Sequence, residues 1–429
     1  MNFEVMHPAE QLCTIIDRVY SFGMTTTSGG NLSVMDSDGD IWITPGAIDK
    51  GTLTPKDIVQ VKPDGTVIGI HKPSVELPVH RKIYETRPDI KAILHAHPPA
   101  LVAYSALDKK PQTEMIANVD ALCNKIGTVG YALPGSDKLV GMIAEQFSGG
   151  ADLVMMVSHG VIVGAANMSD AFMKFEMLDF CARIEIASVP LGTPRLLSRS
   201  TLDDYLVRTA EKLDEFGPEP YPSQERYYRE ELCRFIHRAY RQQIFTSMQG
   251  SYSRKISDHS FIITPHGKDR LYLQPEDLVS IKYGRRERGK NASYSVRLHQ
   301  EIYAQHPDVT SVMIAQPPSS MAFAVTGAEF DARLIPESYM MLKDVQRMPY
   351  GTNMKEPEKV AQAMSIKHPV MIIENDYVIT AGKDTLNAFD RMEVMEYSAK
   401  AIVSAKQMGA KMKTISPEEV REIEIAFNL

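Results

Sequence analysis

The sequence predicts an α/β protein of two tandem domains, each with a central, mostly antiparallel sheet flanked by helices. At 429 residues the chain is too long for one ordinary hydrophobic core. Its apolar pattern runs strand, hairpin, helix, strand, which is not the regular βαβ alternation of a dinucleotide-binding fold. The same pattern then starts again about 220 residues later.

Residues Pro8 to Tyr20 carry Leu12, Ile15, Ile16 and Val19 at the three-four spacing of an amphipathic helix. Thr25 to Asn31 follow as a polar loop whose Gly29-Gly30 pair allows backbone to approach a ligand closely. Leu32 to Val34 and Ile41 to Ile43 read as short strands ahead of the turn Thr44-Pro45-Gly46. Ile58 to Val61 and Thr66 to Ile70 flank Pro63-Asp64-Gly65 and read as a hairpin. Glu76 to Glu85 read as a helix that feeds a strand beginning at Ala92 and carrying His95 and His97. A helix near Ser136 to Gln146, a buried strand Leu153 to Val163 containing His159, and a long helix Ser169 to Ala187 complete the first half.

Placing residue n against n+220 pairs Glu10, Leu12, Cys13, Arg18 and Tyr20 with Glu230, Leu232, Cys233, Arg238 and Tyr240. It also pairs Ile43-Thr44-Pro45 with Ile263-Thr264-Pro265. At n+219, His80, Ile83, Tyr84, Pro98 and Pro99 fall on His299, Ile302, Tyr303, Pro317 and Pro318. Collinear identities over this length, with one gap, mark a duplicated domain, and the period is far too long for a solenoid. The polar, proline-rich stretch near Phe216 to Pro220 supplies the boundary, giving domains 1–212 and 213–429.

Composition narrows the function. A net charge of -7 argues against nucleic acid or an anionic membrane as partner, since both need a basic surface. The nearest basic cluster, Arg285-Arg286-Glu287-Arg288, is broken by an acid and reads as a solvated loop. Cys13, Cys123, Cys181 and Cys233 are scattered without C-x-x-C spacing, which fits a reducing compartment. The N-terminal residues lack a secretory pattern and no run of 18 apolar residues occurs, so a cytoplasmic protein is expected.

His95 and His97 stand two apart in a strand-like segment, so their side chains share one face. Glu76 lies upstream and His159 downstream. The repeat acts as an internal control on these four residues. His95 falls on Ile314, His97 on Gln316, Glu76 on Ser295 and, with one further gap, His159 on Asn375. Structural histidines have no reason to vanish as a set, so a metal site is expected in the first half and none in the second. Three neutral imidazoles leave an open position on Zn²⁺ or another divalent metal, the arrangement of a catalytic site. Such a metal polarises a carbonyl while a nearby carboxylate moves a proton, which points to proton transfer or C–C cleavage beside a carbonyl. Metal-assisted hydrolysis fits the same three ligands.

Gly30-Asn31-Leu32-Ser33, the Thr44-Pro45 turn, Lys72-Pro73-Ser74-Val75-Glu76, His95-Ala96-His97 and Val157-Ser158-His159-Gly160 come in an order and spacing that resembles the class II aldolase/adducin family. The resemblance covers about residues 8 to 190 and, more weakly, 228 to 405. It implies two tandem α/β/α domains, each with a central antiparallel sheet, the second a degenerate copy. The family includes fuculose- and rhamnulose-phosphate aldolases, ribulose-phosphate 4-epimerases, oxo-tetronate-phosphate decarboxylases and the non-catalytic cytoskeletal adducins.

The resemblance makes His95, His97 and His159 zinc ligands and Glu76 the acid/base, where the epimerases carry Asp. It therefore implies a zinc-dependent aldolase acting on a ketose phosphate or related sugar, with an epimerase, a decarboxylase or an adducin-like interaction module as the alternatives. Ser28, Gly30, Asn31, Gly46 and Ser74 fall in the substrate's phosphate pocket. There Gly46-Ala47 replaces the family's Thr/Ser-Gly pair and Val75 replaces a second serine. The proton-donating tyrosine of fuculose-phosphate aldolases falls near Glu114, and Asp120 is an epimerase-like candidate in a region that otherwise reads as a solvated loop. His80 reads as structural because His299 persists in the other copy. Family enzymes form fourfold rings, so a homo-oligomer is expected: a pseudo-fourfold ring of two chains, or a larger assembly.

Overall fold

The protein is described by a computed structural model covering residues 3–409 and 411–428. Its backbone contacts gather into two compact units: the chain up to Thr113 with Asn118–Arg183, and Glu114–Ala117 with the chain from Ile184 onward. Residues 184–212 thus cluster with the second unit, upstream of the 212/213 division placed from sequence. Part of the proline-rich stretch chosen as a linker is a short strand, Glu215–Phe216, which pairs in parallel with residues 286–287. Its backbone groups are satisfied by the sheet edge rather than by water alone.

In the first unit the elements run α1 (Pro8–Ser21), β1 (Asn31–Met35), β2 (Ile41–Ile43), β3 (Val59–Val61), β4 (Val67–Ile68), α2 (Leu77–Thr86) and β5 (Ala92–Ala96). They continue as α3 (Pro99–Ala106), α4 (Ala117–Cys123), β6 (Ile126–Val129), α5 (Asp137–Ser148), β7 (Leu153–Met156), β8 (Gly160–Ala165) and α6 (Met168–Ser188). The sheet order is β4-β3-β2-β1-β5-β8-β7-β6. Every pairing is antiparallel except β6 with β7, as the element order predicts.

Strand alternation sorts the two faces of this sheet. Ile41, Ile43, Val59, Val61, Ile93, Val154 and Ile162 pack with Val79, Ile83, Leu139, Ile143 and Phe147 of α2 and α5 in one buried cluster. On α1 the buried positions Leu12, Ile15, Ile16 and Val19 form the predicted stripe, and Arg18 stacks on the Phe172 ring of α6 at 4.4 Å. The segment 153–163 is two strands rather than the single strand expected. Ser158 adopts φ 55° and the chain turns back between Met156 and Gly160, which face each other in the ladder. An apolar run on both sides of a tight turn carries no periodic signal to mark the break.

The second unit continues with α7 (Arg199–Leu206), β9 (Glu215–Phe216), α8 (Ser223–Arg241), β10 (Ser251–Ser257), β11 (Ser260–Ile263), β12 (Val279–Lys282), β13 (Arg285–Glu287), α9 (Val296–Gln305) and β14 (Ser311–Ala315). Then come α10 (Pro318–Thr326), α11 (Pro336–Leu342), β15 (Val345–Met348), α12 (Thr352–Lys355), α13 (Pro357–Ala363), β16 (Val370–Ile373), β17 (Tyr377–Gly382), α14 (Thr385–Gln407) and α15 (Pro417–Phe427). Its sheet runs β15-β16-β17-β14-β10-β11-β12-β13-β9. The first unit's plan is repeated with one strand added at the edge. Register confirms the duplication: Asn31 faces His95 in the first sheet and Ser251 faces Ile314 in the second. Arg285–Glu287 of the basic cluster form β13 rather than a loop; Arg285 and Arg288 are exposed as expected, while buried Glu287 takes Arg229 and Lys290 as partners.

No helix among the described residues is long and apolar enough to cross a membrane. All four cysteines are free thiols.

Candidate metal centre

β5 delivers His95 on the face that α2 covers. His97 lies just past the end of the strand, and Pro98 behind it favours an extended backbone there, so the alternation continues for one more residue. His159 comes from the tight turn between β7 and β8. That turn is held by Ser105 of α3, whose carbonyl accepts from the Ser158 N–H at 3.3 Å and whose hydroxyl accepts from the His159 N–H at 3.2 Å. Gly160 belongs beside it for steric reasons: a Cβ there would meet His97 Cδ2 at 2.6 Å and the Ala96 carbonyl at 2.7 Å.

The three rings converge. Centroid separations are 4.7 Å for His95–His97, 4.9 Å for His95–His159 and 5.3 Å for His97–His159, and one nitrogen of each lies within 4.8 Å of the others. His95 Nδ1 sits 2.9 Å from the Val161 carbonyl. A carbonyl only accepts, so Nδ1 carries the proton and Nε2 turns its lone pair into the cluster, 3.0 Å from His97 Nε2. A tetrahedral metal with Zn–N bonds of about 2.0–2.1 Å sets its ligand nitrogens about 3.3 Å apart, so this donor set fits such an ion. Burial pushes His97 down to about 3 and lowers His159, with the neighbouring His95 adding to both. Neutral imidazoles with inward lone pairs are the form that binds metal.

Glu76 is the N-cap residue of α2 and is buried. Its Oε2 lies 3.3 Å from His95 Nε2 and its Oε1 lies 3.7 Å from His159 Nε2. Burial works to raise its pKa, but His95, the Asn31 amide, His159 and His80 together hold the carboxyl below the usual value.

The other sequence candidates scatter around this centre. Asn31 and Ser74 are buried, with Asn31 Nδ2 donating to Glu76 Oε2 at 2.6 Å and Ser74 Oγ accepting from the Glu76 N–H at 3.3 Å. Gly46 spends its N–H on the Lys72 carbonyl at 3.2 Å. Gly30 holds φ 72° against the His95 carbonyl, and Ser28 is exposed on the loop before it. Asp120 is no solvated loop acid: it lies on α4, 3% exposed, and accepts from Thr113 Oγ1 at 2.8 Å. Val119 and Cys123 of the same helix are buried as well.

Lys50 was not anticipated. It is buried near the Thr44-Pro45 turn, donates to the Pro45 carbonyl at 2.5 Å, and burial lowers its pKa to about 8. Its repeat partner Arg270 is also buried and donates to the Gly250 and Lys268 carbonyls. A buried cation on backbone carbonyls in both copies is a loop tie common to the fold. The sequence signal was a basic residue at equivalent positions of the repeat.

In the second unit the equivalent positions are Ile314, Gln316, Ser295 and Asp376. The sequence pairing of His159 with Asn375 is one residue off. Ile373 faces Tyr377 as Met156 faces Gly160, and Asn375 has φ 56° where Ser158 has 55°. The match of turns therefore sets Asn375 on Ser158 and Asp376 on His159. Asp376 is held by Asn353 Nδ2 at 2.9 Å, and burial raises its pKa to about 6. Among the described residues His95, His97 and His159 alone form a cluster able to hold a metal.

The profile of the Class II Aldolase and Adducin N-terminal domain matches residues 10–186 and again 230–403, together more than half of the chain. The chain belongs to the class II aldolase and adducin family. Within that family it is similar to a 5-deoxy-D-ribulose 1-phosphate aldolase from Bacillus thuringiensis serovar kurstaki, at 30% identity over 48% of this chain and 96% of that protein. An L-fuculose phosphate aldolase from Methanococcus maripaludis is 33% identical over 41% of this chain and 92% of its own length. A 3-oxo-tetronate 4-phosphate decarboxylase from Haemophilus influenzae is 31% identical over 38% of this chain and 80% of its own. The class II aldolase and adducin domain thus occurs twice in this chain, with one histidine cluster among the described residues.

Proposed function

We propose that this chain is a zinc-dependent aldolase, a carbon–carbon lyase that cleaves a ketose phosphate or related sugar by retro-aldol chemistry in its first domain. The observation that carries the reading is the convergence of His95, His97 and His159 with Glu76 beside them, in a chain similar to two sugar-phosphate aldolases. A divalent ion held by the three histidines supplies Lewis-acid polarisation of the substrate carbonyl. As the C–C bond breaks, the hydroxyl on the departing carbon gives up its proton and becomes a carbonyl, and Glu76 delivers one proton to the carbon left electron-rich, a role typically worth about 10²–10⁴ in rate. Ser28, Gly30, Gly46 and Ser74, on the loops around the cluster, and Asn31, at the start of β1, are the positions that receive the rest of the sugar or its phosphate.

The decarboxylase relative supports a second reading, because loss of CO₂ beside a carbonyl leaves the same electron-rich carbon and needs the same ion and proton carrier. Product analysis separates the two. Purified protein is assayed against ketose phosphates, unphosphorylated ketoses and oxo-tetronate phosphates, with and without chelator. An aldehyde and a ketone formed together, lost with chelator and restored by Zn²⁺, is the expected result. CO₂ release instead selects the decarboxylase. Protein that carries no metal on elemental analysis and turns over nothing overturns the reading in favour of an adducin-like interaction module. The homo-oligomer belongs to the same proposal, and light scattering that finds a fully active monomer removes it.

A further inference from the structure

The helix that follows Glu76 presents His80 and Tyr84 at successive four-residue steps, so Glu76, His80 and Tyr84 lie along one side. Across from them, alternation in β1 turns Asn31 and Ser33 to that same side. The two rows interlock. His80 Nε2 is 2.6 Å from Asn31 Oδ1, and Asn31 Nδ2 is 2.6 Å from Glu76 Oε2. His80 Nδ1 is 2.6 Å from Ser33 Oγ, which is 2.6 Å from the Tyr84 hydroxyl. All five side chains are buried.

Chemistry allows one direction of donation through this chain. The carboxylate Oε2 accepts, so the nearer end of Asn31 is its NH₂, and the amide oxygen at the other end must accept from His80 Nε2–H. With its proton there, His80 is bare at Nδ1 and accepts from the Ser33 hydroxyl, which accepts in turn from Tyr84. Because its two amide ends are nearly equal in size, shape does not fix the orientation of Asn31; the His80 Nε2–H at its oxygen and the Glu76 carboxylate at its NH₂ fix it together. Rotated by 180°, it would set an oxygen against the Glu76 carboxylate. We propose that His80 is a positioning residue for Glu76, acting through the side-chain amide of Asn31. The proposal deepens the reading of Glu76 as the proton carrier and rests on it for its effect on turnover.

The second unit supplies the comparison. Ser253 Oγ lies 2.7 Å from His299 Nδ1 and 2.6 Å from the Tyr303 hydroxyl, the frame that Ser33, His80 and Tyr84 form in the first unit. Its Nε2 end meets Ser251 Oγ at 3.1 Å, and Ser295, in place of the carboxylate, pairs with Ser293. The serine, histidine and tyrosine therefore belong to the fold of both copies. The extension through Asn31 to a carboxylate belongs to the first alone.

The test uses full-length protein labelled with ¹⁵N-asparagine, the Asn31 side-chain signals being assigned by their loss in Asn31→Ala. In metal-free protein, His80→Ala is expected to move the Asn31 NH₂ signals, and His80→Gln, which keeps an N–H donor, to restore them. His299→Ala removes the same frame in the other unit and should leave them in place. Unmoved signals in a folded His80→Ala overturn the proposal. On a substrate found by the panel above, His80→Ala with bound zinc should lower kcat about 10–100-fold with little change in KM, the range usual for outer partners of a metal site. Recovery is expected in His80→Gln, and His299→Ala should match the unsubstituted protein. Equal losses in His80→Ala and His299→Ala would mark a purely structural histidine and overturn the proposal. If no substrate is turned over, the aldolase reading fails while the NMR result still decides the positioning.

Discussion

His95 turns its Nδ1 to the Val161 carbonyl at 2.9 Å, and that bond decides which nitrogen faces the other two rings. Val161 follows the His159 turn on β8, so the strand pairing that brings His159 in also sets the tautomer of His95. The arrangement predicts that His95→Gln loses metal even though a glutamine can bond the same carbonyl. Loss of outer partners alone typically costs 10–100-fold in metal affinity, so loss of the ligand nitrogen should cost more than about tenfold. Elemental analysis after dialysis against buffered Zn²⁺ checks it, and full metal content in His95→Gln would remove the residue from the ligand set.

Glu76 lies against two of the rings without being one of the three clustered histidines. Glu76→Gln keeps the shape and removes the carboxylate, so it should retain zinc and lower turnover by about 10²–10⁴. Metal content and kcat, measured on the same preparation, separate these effects. Unchanged turnover would take the proton transfer away from Glu76.

His299 is buried and neutral, its pKa pushed down to about 3 by burial. An imidazole in the unfolded chain titrates near about 6.5. Between those values the unfolded state binds the extra proton, so stability is fully present above about pH 6.5 and is lost as pH falls towards about 3. Each such group contributes a slope of up to about 1.4 kcal/mol per pH unit. Urea midpoints between about pH 7 and pH 5 should therefore fall less steeply in His299→Gln, which does not titrate. Parallel slopes would show that acid sensitivity arises elsewhere.

The duplication was legible because identities recur at a nearly constant offset, and the strand registers Asn31–His95 and Ser251–Ile314 bear it out. The pairing of His95 with His97 was legible from two-residue spacing. The partner of His159 was not, because placing the last gap depends on where a turn falls, and Ser158 and Asn375 share a backbone conformation rather than a residue type. The helix expected over Glu76 to Glu85 places Glu76, His80 and Tyr84 at four-residue steps. Their partners Asn31 and Ser33 come from a strand more than forty positions away, a contact that no local pattern encodes. For Asp120, and for Glu287 within the otherwise solvent-facing Arg285–Arg288 cluster, polarity suggested solvent, while tertiary partners in Thr113 and Arg229 allow burial.

Confining the histidine cluster to one of two compact units gives metal removal a selective signature. A ligand that binds only the folded state stabilises it by about 2.7 kcal/mol at a hundred times its Kd. Zinc should therefore raise the unfolding temperature of the first unit and leave that of the second, which lacks such a cluster among the described residues, where it was. Calorimetry with added Zn²⁺ or with chelator checks this, and His95→Gln identifies the responsive transition by abolishing its shift. Both units shifting together in the unsubstituted protein would mean that they unfold as one cooperative body, and neither shifting at saturating Zn²⁺ would mean that the three histidines hold no metal.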